Sequence, residues 1–114
     1  LIVGATIEAV AAALALAEAS GVDPRIVRDA LRGGFADSRI LELHGARMIA
    51  GDTTPGARCS LMEKDLGLIV DAAAAAGIDI PVARRNADQW AAMAAKGWRD
   101  LDHSALFQLY RRAG

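Results

Sequence analysis

An all-α domain of about six helices is predicted by three features of this chain. Alanine dominates its composition, while β-branched and aromatic residues are few. Glycines fall at intervals between long Ala/Leu-rich segments. Those segments carry apolar residues at the 3.6-residue spacing of helices. At 114 residues the chain reads as one domain, 1–114, able to bury roughly two-thirds of its unfolded surface.

The first helix is long and apolar, covering about 1–20, with Gly21 as its left-handed stop. Only Thr6, Glu8, Glu18 and Ser20 interrupt its apolar surface, so most of it is expected to be buried. So small a domain offers little to cover it, and a second subunit or domain is the expected cover. Glu8 then needs partners, and a satisfied core or interface carboxylate is the favoured role. Asp23-Pro24 is an N-cap followed by proline at the first helical position, which starts a second helix ending near Arg32. Gly33-Gly34 ends it and opens the turn Phe35-Ala36-Asp37-Ser38. Two glycines there either stop a helix or let the backbone approach a ligand.

Asp37 or Ser38 caps a third helix through about Ala50. The polar stretch 51–57 is a loop. Ser60 and Glu63 have capping-box spacing, so the fourth helix is placed at 61–76, with Gly77 as its end. Pro81 keeps Ile80 extended and opens a fifth helix to about Lys96, closed by Gly97. Asp102 caps a final helix. Arg111 and Arg112 suit its C-terminus, where cations complement the dipole.

Composition also excludes several functions. The net charge of −1 gives no electrostatic footprint for nucleic acid. A membrane span is not expected either, because Glu8 and Glu18 interrupt an only mildly hydrophobic run. Cys59 stands alone, so no disulfide framework or cysteine zinc site forms within the chain, and a reducing, cytoplasmic compartment is expected. No Gly-rich phosphate loop follows a strand, and no His or Cys pair has metal-ligand spacing, so no metal is expected. Asp102-His103-Ser104 are consecutive, project in different directions and cannot form a triad among themselves. No catalytic residue is assigned.

One lysine stands out. The chain has eleven Arg and only two Lys, and Lys64 marks a place where a compact ammonium is kept against that preference. At 100° per residue Leu61, Met62, Leu68, Ile69 and Ala72 are placed on one face of the fourth helix. Asp65 falls in the middle of that face and Lys64 at its edge. Asp65 is therefore expected to be a buried structural carboxylate, and a solvated Lys64 is the plain alternative to a functional one.

The order of motifs resembles a family. It runs Glu8…Glu18…Gly21-Val22-Asp23, Gly33-Gly34-Phe35-Ala36-Asp37-Ser38, Met48…Gly51-Asp52…Pro55-Gly56, Lys64-Asp65-Leu66 and Gly77…Pro81. It closes with Gly97…Asp100-Leu101-Asp102-His103-Ser104-Ala105-Leu106. Together these resemble the C-terminal helical domain of the β-hydroxyacid dehydrogenases. That family includes 3-hydroxyisobutyrate dehydrogenase and 2-hydroxy-3-oxopropionate reductase and is related to 6-phosphogluconate dehydrogenase. The resemblance implies that a long helix joins this domain to an N-terminal Rossmann domain binding NAD or NADP, which 1–114 lacks.

It further implies an active site in the cleft between the two domains, served by a general acid/base lysine and an asparagine just ahead of Leu1. Lys64 matches the family's Lys-Asp-Leu lysine, which reaches the nicotinamide end of the cofactor. Gly33, Gly34 and Phe35 are implied to face the same cleft, and Asp65 matches the family aspartate. On this resemblance the substrate is a small hydroxy acid, and the chain alone is inactive. The apolar first helix adds self-association as a homodimer or higher homo-oligomer. Two alternatives remain, a non-catalytic helical interaction module and the C-terminal domain of an imine reductase.

Overall fold

The computed structural model describes residues 1–111 and is helical as expected. Five helices, α1 (Ile2–Ala19), α2 (Pro24–Leu31), α3 (Arg39–Ala50), α4 (Cys59–Ala75) and α5 (Pro81–Ala95), are followed by a 3₁₀ turn (His103–Leu106) and a short α6 (Phe107–Tyr110). No strand is present among the described residues. Arg112, assigned above to the C-terminal turn, lies outside them.

Local chemistry sets most of the boundaries. The Asp23 carboxylate accepts from the Arg25 amide ahead of α2, and Ser38 Oγ from the Leu41 amide ahead of α3. Asp102 accepts from the Ser104 amide ahead of the 3₁₀ turn. Gly51 (φ 71°) ends α3 in the left-handed conformation and donates to the carbonyls of Arg47 and Met48.

α4 departs from expectation at its start. It begins at Cys59, its N-cap Arg58 makes no side-chain cap, and the capping box of Ser60 and Glu63 does not form. Tertiary partners replace it. The Cys59 and Ser60 amides donate to the carbonyls of Leu101 and Arg99, and Glu63 turns to the Arg99 guanidinium at 3.2 Å. Once those carbonyls satisfy the first orphan amides, the box has nothing left to do.

α1 is the central element. It packs against α2, α3, α5, the 3₁₀ turn and α6, while α4 pairs with α5. Ile7, Ala11 and Leu14 of α1 are fully buried with Leu41 and Met48 of α3, Leu66 of α4, Trp90 and Met93 of α5, and Leu106 and Phe107. Each such large side chain contributes roughly 1.5–3 kcal/mol on leaving water. Gly4 lets α4 and α5 come close, because a Cβ there would lie 2.7 Å from Asn86 Oδ1 and 3.0 Å from Leu66 and Met62. Arg28 joins α2 to α3 by donating to the carbonyls of Leu41 and Glu42.

The expected burial of most of α1 is corrected. Seven of its 18 residues are buried, while Ile2 and Leu16 stay 81% and 69% exposed. The other elements of so small a domain cover one side of the helix and no more. Glu8 is satisfied as expected. Asn86 Nδ2 donates to one carboxylate oxygen at 2.7 Å, and the Tyr110 hydroxyl donates to the other at 2.6 Å. Burial, then the hydrogen bond to Glu8, push the Tyr110 phenol up to about 12, so it stays a donor.

Candidate functional site

The exposed side of α4 carries the sequence-predicted lysine. Cys59, Met62 and Leu66 are buried and Ile69 is half-buried, which fixes the inward face at i, i+3, i+7 and i+10. Leu61, Lys64, Asp65 and Leu68 are all exposed, with Leu61 57% and Leu68 58% open. Lys64 has no hydrogen bond or ion pair among the described residues, so its ammonium is uncommitted beside two bare leucines.

Asp65 corrects the expectation of a buried strut. Apolar residues lie on both sides of α4, and the fold buries Met62 and Leu66 rather than Leu61 and Leu68, which leaves Asp65 exposed. Its charge reaches the nearby His103, whose protonated form it favours.

The Gly33-Gly34-Phe35 turn is tied down at its ends by Asp37. Asp37 accepts from the Gly33 and Ser38 amides, both at 2.8 Å, and pairs with Arg32 at 3.0 Å. Those backbone bonds, against a smaller burial effect, hold the Asp37 carboxyl below its usual range. Gly33 needs to be glycine, because its φ is 86°, whereas Gly34 carries no such demand. Phe35 projects with its ring fully exposed over a groove of about 480 Å³ lined by Thr6, Ala9, Val10, Ala13 and Leu14 of α1 together with Leu31 and Leu41. No lining residue of this groove comes from α4. The described residues thus do not bring Lys64 and Phe35 into one pocket.

A buried polar hub was missed by motif reading. Asp102 is 1% exposed and binds the loop between α3 and α4. One carboxylate oxygen accepts from the Gly56 and Ala57 amides, each at 3.0 Å, and from Arg47 Nη1 at 3.0 Å. The other accepts from the Ser104 amide at 2.9 Å. Burial alone would raise its pKa, but the bonds from Ser104, Ala57 and Gly56 outweigh that and hold it at about 2. Arg47 also donates to the Thr54 carbonyl, and Ser104 Oγ to that of Asp52. Cys59 donates to the Asp102 carbonyl, and burial, then Asp102, push its thiol up to about 12. Such a thiol is inert as a nucleophile. The signal available in the sequence was the Asp102-x-Ser104 cap, which is local, whereas the loop partners lie 45 and 46 residues away.

Comparison with known proteins gives this helical arrangement its relatives. The family model described as the NAD-binding of NADP-dependent 3-hydroxyisobutyrate dehydrogenase matches residues 1–110. The chain belongs to the β-hydroxyacid dehydrogenase family. It is 46% identical over 108 residues to the 2-hydroxy-3-oxopropionate reductase of Escherichia coli K12, covering 95% of this chain and 37% of that protein. It is 35% identical over 112 residues to a probable 3-hydroxyisobutyrate dehydrogenase of Mycobacterium tuberculosis H37Rv, covering 90% and 37%. The crystal structure of the Salmonella typhimurium 3-hydroxyisobutyrate dehydrogenase superposes with a TM-score of 0.91 at 28% identity, covering 95% of this chain and 38% of that one. The chain thus spans less than two-fifths of the length of these family members, and all of them are named as dehydrogenases or reductases.

Lys64 is an uncommitted cation between exposed apolar side chains, a suitable contact for a carboxylate or phosphate oxygen next to a flat ring. Among the described residues no glycine-rich turn runs from a strand into a helix, so the phosphate cradle of a dinucleotide is not built here.

Proposed function

We propose that this chain is the helical substrate and dimerisation domain of an NAD(P)-dependent 3-hydroxyacid dehydrogenase or 2-hydroxy-3-oxopropionate reductase. The observation that carries the reading is the match over residues 1–110 to a dehydrogenase family, combined with an uncommitted Lys64 on an open face of α4. In this reading a Rossmann domain precedes residue 1 and closes a cleft against the exposed side of α4, with the Gly33-Gly34-Phe35 turn on the cleft's wall.

Within the cleft the role of Lys64 is electrostatic. Its ammonium holds the substrate carboxylate or the nicotinamide end of the cofactor, in a space where closure removes water and strengthens the attraction. The nicotinamide, when bound, supplies the hydride acceptor for oxidation of the hydroxy acid and the hydride donor for the reverse reaction. The proton of the hydroxyl goes to a lysine ahead of Leu1. Asp65, exposed at the edge of the same face, belongs to the cleft rather than to the core. The choice between NAD and NADP rests with the preceding domain, which reads the ribose 2′ position. The bare side of α1, with Ile2, Val3 and Leu16 exposed, suits contact with a second copy, and the intact protein is assigned to the cytoplasm.

Residues 1–114 alone are expected to show no turnover of 3-hydroxyisobutyrate with NAD or NADP, read as nicotinamide absorbance. They are expected to run as a dimer or larger in light scattering at micromolar concentration. Turnover by the isolated chain contradicts the division of labour, and a monomeric mass contradicts the role of α1.

A further inference from the structure

Two imidazoles meet where α3 crosses the polar hub. His44 of α3 and His103 of the 3₁₀ turn lie with ring centroids 6.1 Å apart and planes 15° from parallel. Trp90 of α5 closes the other side of His103, at 5.5 Å and 68°. His103 Nε2 lies 3.0 Å from the Arg58 carbonyl oxygen. A carbonyl only accepts, so this nitrogen carries the proton and Nδ1 is the basic one. His44 Nδ1 is buried with no partner, and a proton added there would be a buried donor without an acceptor.

The same corner holds the 51–58 loop. The His103 amide donates to the Ala57 carbonyl at 2.9 Å and the Asp102 amide to the Thr53 carbonyl at 3.0 Å. The loop in turn leads into the first amides of α4, the helix of Lys64. We propose that the stacked His44–His103 pair is a proton-operated latch that fixes the 51–58 loop and the start of α4 at neutral pH and releases them on mild acidification.

The surrounding charges decide the direction. Arg47, on the same helix as His44, opposes a second positive charge, and so does a proton on either ring toward the other. Asp102 favours protonation of both rings and Asp65 of α4 favours that of His103. Asp102 is, however, already occupied by Arg47 and three amides. Cys59 of α4 contributes a neutral thiol. Arg28 of α2 is bound to the carbonyls of α3. Glu8 of α1 and Tyr110 of α6 belong to a separate cluster with Asn86. For His103 the Arg58 carbonyl also favours the protonated ring, but desolvation is the largest effect on both rings and holds both imidazoles below their ordinary range. A proton is therefore taken up preferentially by a more open state in which the two rings are better hydrated than in the closed stack.

Amide hydrogen exchange of the 114-residue chain at pH 7.5 and pH 5.0, corrected for intrinsic rates, tests the latch. An open state with ordinary histidines, near 6.5, gains up to about thirtyfold in its opening constant per histidine over that range. The rise is expected at Gly56, Ala57 and Cys59 and not at Ala11 or Leu14 of α1. His44→Phe keeps a flat ring in the stack and removes one proton site, so the rise falls to that of His103 alone. Equal rises in α1 and the loop, no rise at pH 5.0, or an unchanged rise in His44→Phe overturns the proposal. Should that variant not fold, imidazole ¹⁵N titration of the unaltered chain decides it. Midpoints below 6.5 that move together with loop opening support the latch, and midpoints at or above 6.5 overturn it.

Discussion

Asp102→Asn is expected to lower the unfolding free energy of the chain by about 3 kcal/mol, within the range for breaking a buried charge pair, and its melting temperature by more than about 10 °C. The carboxylate accepts from Gly56, Ala57, Ser104 and Arg47 at once. An asparagine keeps one acceptor and turns a donor amide toward a second donor. Arg47 loses its 3.0 Å carboxylate partner and keeps only the longer pair with the exposed Asp52, at 3.6 Å. The pH dependence gives the same variant a second signature. The folded pKa of about 2 lies below the unfolded value of 3.8, so the contribution is complete above pH 3.8 and is lost as pH falls toward 2. A difference of that size corresponds to about 2 kcal/mol. Chemical denaturation at pH 6 and pH 2 is expected to show this loss in the original chain and its absence in Asp102→Asn. A variant as stable as the original at pH 6 removes the hub from the account of the fold.

Lys64→Met in the intact protein is expected to reduce kcat/KM by about 100-fold, as for other single preorganised electrostatic contacts. The side chain is exposed and makes no contact inside the domain, so the melting temperature stays within about 0.5 kcal/mol equivalents of the original. That separation of activity from stability is the diagnostic part of the result. Lys64→Arg retains the charge in a larger, planar shape and is expected to recover only part of the loss. Steady-state kinetics varying cofactor and hydroxy acid separately shows which of them the ammonium holds. Unchanged kinetics in Lys64→Met makes Lys64 a solvated surface residue.

The parts of the structure that were legible in the sequence are those decided by nearest neighbours. Pro24 behind Asp23, Ser38 ahead of α3, and the glycines at 21, 51, 77 and 97 act within a few residues, and the first five helices begin and end within two residues of their predicted limits. The final helix differs, because the Asp102 cap opens a 3₁₀ turn and the α-helix starts only at Phe107. Glu8 was legible because a carboxylate in an apolar helix has to find donors, and Asn86 and Tyr110 supply them. The failures share one cause, a partner distant in sequence. Ser60 and Glu63 have capping-box spacing, yet the carbonyls of Arg99 and Leu101 satisfy α4 first. The local pattern points Asp65 inward because α4 has leucines on both sides, and only the packing of Gly4 against Met62 and Leu66 shows which side is buried. The hub of Asp102 joins residues 45 and 46 apart, which no local pattern encodes. Lys64 was singled out by its rarity among arginines, and the structure leaves it uncommitted, as a contact for something outside this domain would be.

The most direct measurement of the proposed function is an assay of the intact protein with purified 3-hydroxyisobutyrate and 2-hydroxy-3-oxopropionate, each with NAD(H) and NADP(H), followed at 340 nm. The expected result is turnover of at least one of these small acids with at least one cofactor. An intact, folded protein that binds neither nicotinamide cofactor and turns over neither acid would contradict the reading and leave a helical interaction module in its place.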